Sequence, residues 1–280
     1  MTKHHFKFAD GTTNQLTLWI PDESAYAVFL ILPAMGTRAS YYRHFAAHFS
    51  SHGVAVATID WRGHGESSVR PDHGVDWGYS QLIDDVQEVC WLLKKRIHFN
   101  RLFLLGHSKG GQVAHLSAAK FSGLIDGVFS VASSDPYFRQ WKWYQQLPFY
   151  FASMLVYPIS LVIGHFPGYF FGFARREAKT MIRDWGRAVR NGNFKLRGDS
   201  FNYEKAKEIY SGKIVAISIE DDILAPYDAV EFTMKFFPNA TLKQHVELSQ
   251  HDEKGNRVTH FSWAKHSDGV IGHILEALEG

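Results

Sequence analysis

The sequence predicts an α/β protein, with a mostly parallel central sheet, helices on its faces and one helical insertion. Three observations carry this reading. First, short apolar runs recur along the chain: Ala27–Leu32, Val54–Ile59, Arg101–Leu105, Leu124–Val131, Ile214–Ile219 and the more exposed Thr241–Leu248. Runs so short and rich in β-branched residues read as strands buried on both faces. Second, helical patterns lie between them. Leu82, Val86, Val89 and Leu93 share one face of a helix within Trp77–Arg96, and Ala39–Ser51, Gly111–Phe121, Val230–Phe237 and Val270–Leu278 also read as helices. Third, strand and helix alternate, which argues for right-handed crossovers. The alternation breaks between Pro136 and about Ser200. The expected organisation is therefore a core over residues 1–136, a helical insertion over 137–200 and the rest of the core over 201–280.

Composition narrows the function classes. The chain has 280 residues, 45% hydrophobic and 21% charged, with a formal net charge of +2. Those are globular values, and the charge, without any Lys/Arg run, argues against a nucleic-acid partner. A single cysteine, Cys90, excludes an intramolecular disulfide framework and a multi-cysteine metal site. Cys90 sits among apolar helix residues and reads as packing. The N-terminal stretch has no apolar core of a secretory signal, so a cytoplasmic location is expected. From Trp143 to Ala174 there is no charged residue. Its length would allow a membrane span, but Pro158, Pro167, Gly164 and Gly168 interrupt it, so a buried or pocket-lining segment is expected, with membrane contact the lesser alternative.

The sharpest local signal is Gly106-His107-Ser108-Lys109-Gly110, a G-x-S-x-G pattern between a strand and a helix. Such a sharp turn lifts the central serine above the sheet at a helix N-terminus, where developing negative charge is favoured. Gly106 and Gly110 leave the turn free of colliding Cβ atoms. A serine hydroxyl needs a base. Of 16 histidines, His260 and His251 both follow the last strand, and His260, just before the last helix, is preferred. His245 and His273 read as structural. The orienting acid should follow Ile214–Ile219, where Glu220, Asp221 and Asp222 stand; Asp222 is preferred and Asp221 is second. Two N–H donors should hold an oxyanion: the amide of Lys109, and one from the loop Pro33–Thr37, with Met35 preferred.

These residues resemble the α/β-hydrolase superfamily, in its esterase- and lipase-like serine-hydrolase branch with a helical cap. The order Ser108, Asp222, His260 matches the superfamily's nucleophile, acid and base. Asp60-Trp61-Arg62-Gly63-His64-Gly65-Glu66-Ser67 resembles its D-x-R-G-x-G-x-S turn, and Asp222–Pro226 its D-x-x-x-P segment. Arg183-Asp184-Trp185 and Thr259-His260-Phe261 resemble a narrower branch of hydrolases. One departure stands out: Pro33-Ala34 replaces the usual His-Gly before the first oxyanion donor.

The resemblance implies hydrolysis of an ester or thioester with an apolar acyl part through an acyl-enzyme, with no cofactor and no metal. Acyl transfer, amide or peptide cleavage and C–C cleavage suit the same residues, and a non-catalytic binding protein on the same fold is the alternative of another class. Further features receive plainer readings. His44, His48 and His52 recur along one helical face and read as a polar surface, and Asp84 and Asp85 read as solvated. Trp141–Tyr144 is expected to help line the apolar pocket.

Overall fold

In the computed structural model, residues 1–21, 25–171 and 174–279 are described. The chain opens with a hairpin of β1 (Thr2–Lys7) and β2 (Thr13–Trp19). It continues through β3 (Ala27–Leu32), α1 (Arg43–Ser50), β4 (Ala55–Ile59), α2 (Tyr79–Arg96), β5 (Arg101–His107), α3 (Lys109–Lys120) and β6 (Gly127–Val131). Then come α4 (Trp143–Ile163), the two-residue strands β7 (Phe166–Pro167) and β8 (Arg176–Glu177), α5 (Lys179–Asn191) and α6 (Tyr203–Ile209). The chain ends with β9 (Lys213–Ile219), α7 (Tyr227–Met234), β10 (Lys243–Leu248) and α8 (Asp268–Glu279).

Among the described residues, eight strands form one sheet in the order β1-β2-β4-β3-β5-β6-β9-β10. Only β2 runs against its neighbours; from β4 to β10 every pairing is parallel. Each residue of β3 is buried, as its unbroken AVFLIL run requires of a strand covered on both faces. Its alternate residues divide between two cores. Val28, Leu30 and Leu32 pack with α2 and α3, whereas Ala27, Phe29 and Ile31 pack with α1 and α8. Cys90 lies wholly inside the first core, and burial pushes its thiol up to about 12, so it packs as a small apolar group.

Three sequence expectations are corrected here. Asp85 is not solvated: it is 2% exposed, and its carboxylate takes a two-pronged bond from Arg62, at 2.5 Å from Nε and 2.6 Å from Nη2. A mid-helix acid looked like surface because its partner lies 23 residues away. The insertion over 137–200, expected to be helical, also contains the small β7–β8 pair. The uncharged stretch is buried only in part: residues 164–168 are enclosed, whereas most of α4 is not. α4 is long and apolar enough to cross a membrane, yet it turns Ser153, Val156 and Ser160 inward. Leu147, Phe151, Met154, Leu155, Leu161 and Val162 are exposed, Val162 to 81%. The inward face carries small residues because α5 approaches closely: a Cβ on Gly186 would lie 2.7 Å from the Ser153 carbonyl oxygen. Trp143 is likewise exposed, while Trp141 is buried and donates its Nε1–H to the Ile223 carbonyl at 3.0 Å.

Candidate active site

Ser108 sits between β5 and α3 with φ 52° and ψ −119°, a left-handed backbone that a side chain rarely adopts. Glycines make the turn feasible. A Cβ on Gly106 would lie 2.3 Å from Gly111 Cα, and one on Gly110 would lie 1.9 Å from the Leu32 carbonyl oxygen. Gly111, not singled out from sequence, is equally constrained, since its Cβ would meet Ser133 Oγ at 2.2 Å; the Gly110-Gly111 doublet was the visible signal. The Ser133 hydroxyl in turn donates to the Ser108 carbonyl at 2.6 Å, which fastens the turn to the end of β6.

The loops after β9 and β10 meet. His260 Nδ1–H donates to Asp222 Oδ2 at 2.7 Å, with both side chains buried. Asp222 Oδ1 accepts the Leu224 amide at 2.9 Å, so both oxygens are fixed. Asp221 instead bonds the Gln250 side chain, and Glu220 the Gln250 amide. His251 is exposed and takes part in a backbone bridge with Arg257. His245 bonds Glu231 and Ser218, and His273 pairs with Glu276 within its helix.

A buried chain of hydrogen bonds ties His260 to the serine turn, and neither Tyr42 nor His107 was singled out for it from sequence. His107 Nε2 lies 2.7 Å from the His260 carbonyl oxygen, so that nitrogen carries the proton and donates. Nδ1 then accepts from the Tyr42 hydroxyl at 2.7 Å, and the same hydroxyl accepts the Ala34 amide at 2.9 Å. Burial, followed by the neighbouring His260, drives His107 well below the usual histidine range and keeps it neutral.

The loop after β3 is pinned at several points. Trp61 Nε1–H donates to the Pro33 carbonyl at 2.7 Å, and Asp60 Oδ1 accepts the Ala39 amide at 2.8 Å. The Gly36 amide donates to Glu177 Oε1 at 3.1 Å. The amides of Ala34 and Gly36 are thus occupied. Among the described residues, those of Met35, between them, and Lys109, at the head of α3, make no hydrogen bond. Pro33-Ala34 does not distort this loop: Ala34 is absent from the residues with positive φ, so its backbone does not need glycine.

Glu177 comes from β8, and sequence reasoning passed it over. It is 1% exposed, 3.5 Å from the ammonium of Lys109 and 3.3 Å from His64 Nε2. The Lys109 ammonium also lies 5.2 Å from the centre of the Trp61 ring. Burial alone would raise the Glu177 carboxyl; Lys109, His64 and the Gly36 amide outweigh it and hold it at about 2. Its one sequence signal was isolation, because it is the only acid between Asp135 and Asp184. The ordering turn beneath follows the same logic. Asp60 Oδ2 accepts the Glu66 amide, and a Cβ on Gly65 would lie 2.0 Å from that oxygen.

A hydroxyl at a strained strand–helix turn, an imidazole oriented by a buried carboxylate, and two unoccupied amides are the parts nucleophilic acyl transfer uses. With the sheet order, they define the fold class: the chain has the α/β-hydrolase fold. Residues 23–159 match the family model described as "Serine aminopeptidase, S33". The monoacylglycerol lipase of Mycolicibacterium smegmatis is 26% identical over 122 residues, which span 44% of this chain and 43% of that protein. The chain thus matches less than half the length of that curated relative. A soluble variant of monoglyceride lipase from Saccharomyces cerevisiae, solved with a substrate analogue, superposes with a TM-score of 0.70 at 18% identity, covering 98% of this chain and 94% of that one. Est1E from Butyrivibrio proteoclasticus, solved with ferulic acid, gives 0.66 at 15% identity, covering 99% and 100%.

Proposed function

We propose that this chain is a serine hydrolase that cleaves a carboxylic ester or thioester with an apolar acyl part. The observation that carries the reading is the buried 2.7 Å bond between His260 and Asp222, fastened through His107 to the turn that presents Ser108. Ser108 Oγ attacks the carbonyl carbon while His260 Nε2 takes its proton. The Met35 and Lys109 amides receive the oxyanion. His260 then passes the proton to the leaving group, which departs and leaves the acyl-enzyme. Water, deprotonated by His260, attacks the acyl carbon, and the acid leaves as Ser108 recovers its proton. Asp222 fixes the tautomer throughout. The segment 137–200 acts as a cap: Ala174 lies so close to the Met35 loop that a Cβ on Gly36 would meet its backbone at 2.6 Å.

A p-nitrophenyl ester series from acetate to laurate tests this. The expected result is turnover that rises with acyl length, at about 0.8 kcal/mol for each methylene fully buried in the transition state. Absence of turnover on every member by folded protein contradicts it.

The source of an apolar substrate is proposed from α4. Segment 137–200 carries ten Lys and Arg against three Asp and Glu, beside an outward apolar helix face. That combination suits a helix lying in the surface of an anionic bilayer. The protein should co-sediment with phosphatidylglycerol vesicles more strongly than with phosphatidylcholine vesicles, and Leu147→Glu with Phe151→Glu should abolish this. Equal failure to bind both vesicles, or binding unmoved by the double variant, would sink the idea.

A further inference from the structure

A groove of about 810 Å³ lies beside the candidate site, lined among the described residues by the loop after β3, the start of α1, Arg175 and the loop that follows His260. Gly36, next to Met35, and Phe261, next to His260, both belong to its wall. The Tyr41 hydroxyl donates to the Phe261 carbonyl at 2.8 Å and ties two of the walls together. Arg38, Arg43, Arg175 and Lys265 line the groove with His44, and its lining contains no Asp or Glu. None of those four cations forms an ion pair among the described residues. The nearest carboxylate by hydrogen bonding, Glu177 on the Gly36 amide, is already matched to Lys109 and His64.

In a chain of net charge +2, four unmatched cations around one groove are a local concentration of positive potential. Their mutual repulsion is relieved by a multiply charged anion. Arginine forks fit a phosphate, whose several acceptor oxygens can take paired N–H bonds. The volume exceeds that of one phosphate, so the anion would be part of a larger group. The position, bordering both His260 and the Met35 loop, fits the half of a substrate that departs.

We propose that this groove binds a phosphate carried by the leaving alcohol or thiol of the substrate. The proposal rests on the assignment of Ser108 and His260 above. Two sources share this chemistry, a phosphorylated lipid headgroup and a soluble phosphorylated carrier.

The test is kcat/KM for three substrates with the same lauroyl group, measured below their aggregation limits: lauroylglycerol, lauroylglycerol 3-phosphate and lauroyl-coenzyme A. The phosphorylated substrates should exceed the neutral one by roughly tenfold at low salt and lose that advantage at high salt. Arg43→Gln combined with Lys265→Gln should cut the ratio of phosphorylated to neutral turnover by roughly tenfold. Preference for the glycerol phosphate ester identifies a lipid headgroup, and preference for the coenzyme A thioester a soluble carrier. Equal use of charged and neutral substrates, with a ratio unmoved by the double variant, overturns the proposal. Should no substrate turn over, the hydrolase assignment fails, and calorimetric titration with glycerol 3-phosphate decides the groove separately: binding weakened roughly tenfold in the double variant supports it, and no binding overturns it.

Discussion

Replacement of Ser108 by Ala should lower kcat on any accepted ester by about 10^4- to 10^6-fold while the fold survives. The size follows from what is removed. Without the hydroxyl there is no acyl-enzyme, and only binding and the two amides remain to assist attack by water. The fold should survive because Ser108 contributes its backbone, not its hydroxyl, to the bonds that fasten the turn: its amide to Val131 and its carbonyl to Ser133. His260→Ala should cost a similar factor, and the double variant little more than either single one, because the groups act as a unit. Asp222→Asn should cost about 10^4-fold, since an amide can hold the ring in the wrong tautomer. Steady-state rates with circular dichroism on each variant check this. A Ser108→Ala protein that retains more than a few per cent of wild-type turnover contradicts the assignment.

The second large effect concerns stability. Glu177→Ala should destabilise the protein by about 3–5 kcal/mol, because it leaves the Lys109 ammonium buried without its counter-charge. It also releases the Gly36 amide and loosens the loop that carries Met35, so activity should fall beyond what the loss of folded protein explains. Glu177→Gln together with Lys109→Met removes both charges, keeps an acceptor for Gly36 and should recover much of the loss. The pH dependence has a definite sign. The Glu177 carboxyl is held at about 2, below its ordinary 4.5, so its contribution to stability is complete above 4.5 and is lost as pH falls toward 2. The Gln variant should lack that part of the acid limb. Urea unfolding at several pH values measures both effects, and a Glu177→Ala cost under about 1 kcal/mol would show that the cluster is not held as described.

Much of the sheet was legible because a parallel strand covered on both faces is apolar nearly throughout: β3 is wholly so, and β9 is apart from Lys213 and Ser218. The β1–β2 hairpin was not, because β1 is an edge strand with mixed exposure and shows only a weak alternation; Asn14, Leu16 and Leu18 were the signal on β2. Ser108 was legible because a strained turn demands local glycines. Asp222 and His260 were legible only through chain order and resemblance, since nothing local separates Asp222 from Asp221. Tyr42, His107 and Glu177 were hidden for a plainer reason: each acts through at least one partner that the fold brings from 65 or more residues away. α4 misled because apolarity signals burial in something, and the sequence does not say whether that is the protein's core or another apolar phase.

The most direct test of the central claim is to treat the folded protein with a fluorophosphonate and locate the adduct by mass spectrometry. One adduct is expected, on Ser108, absent in Ser108→Ala and strongly slowed in His260→Ala. Folded protein that hydrolyses an ester without labelling at Ser108, or that labels at another serine, would contradict it.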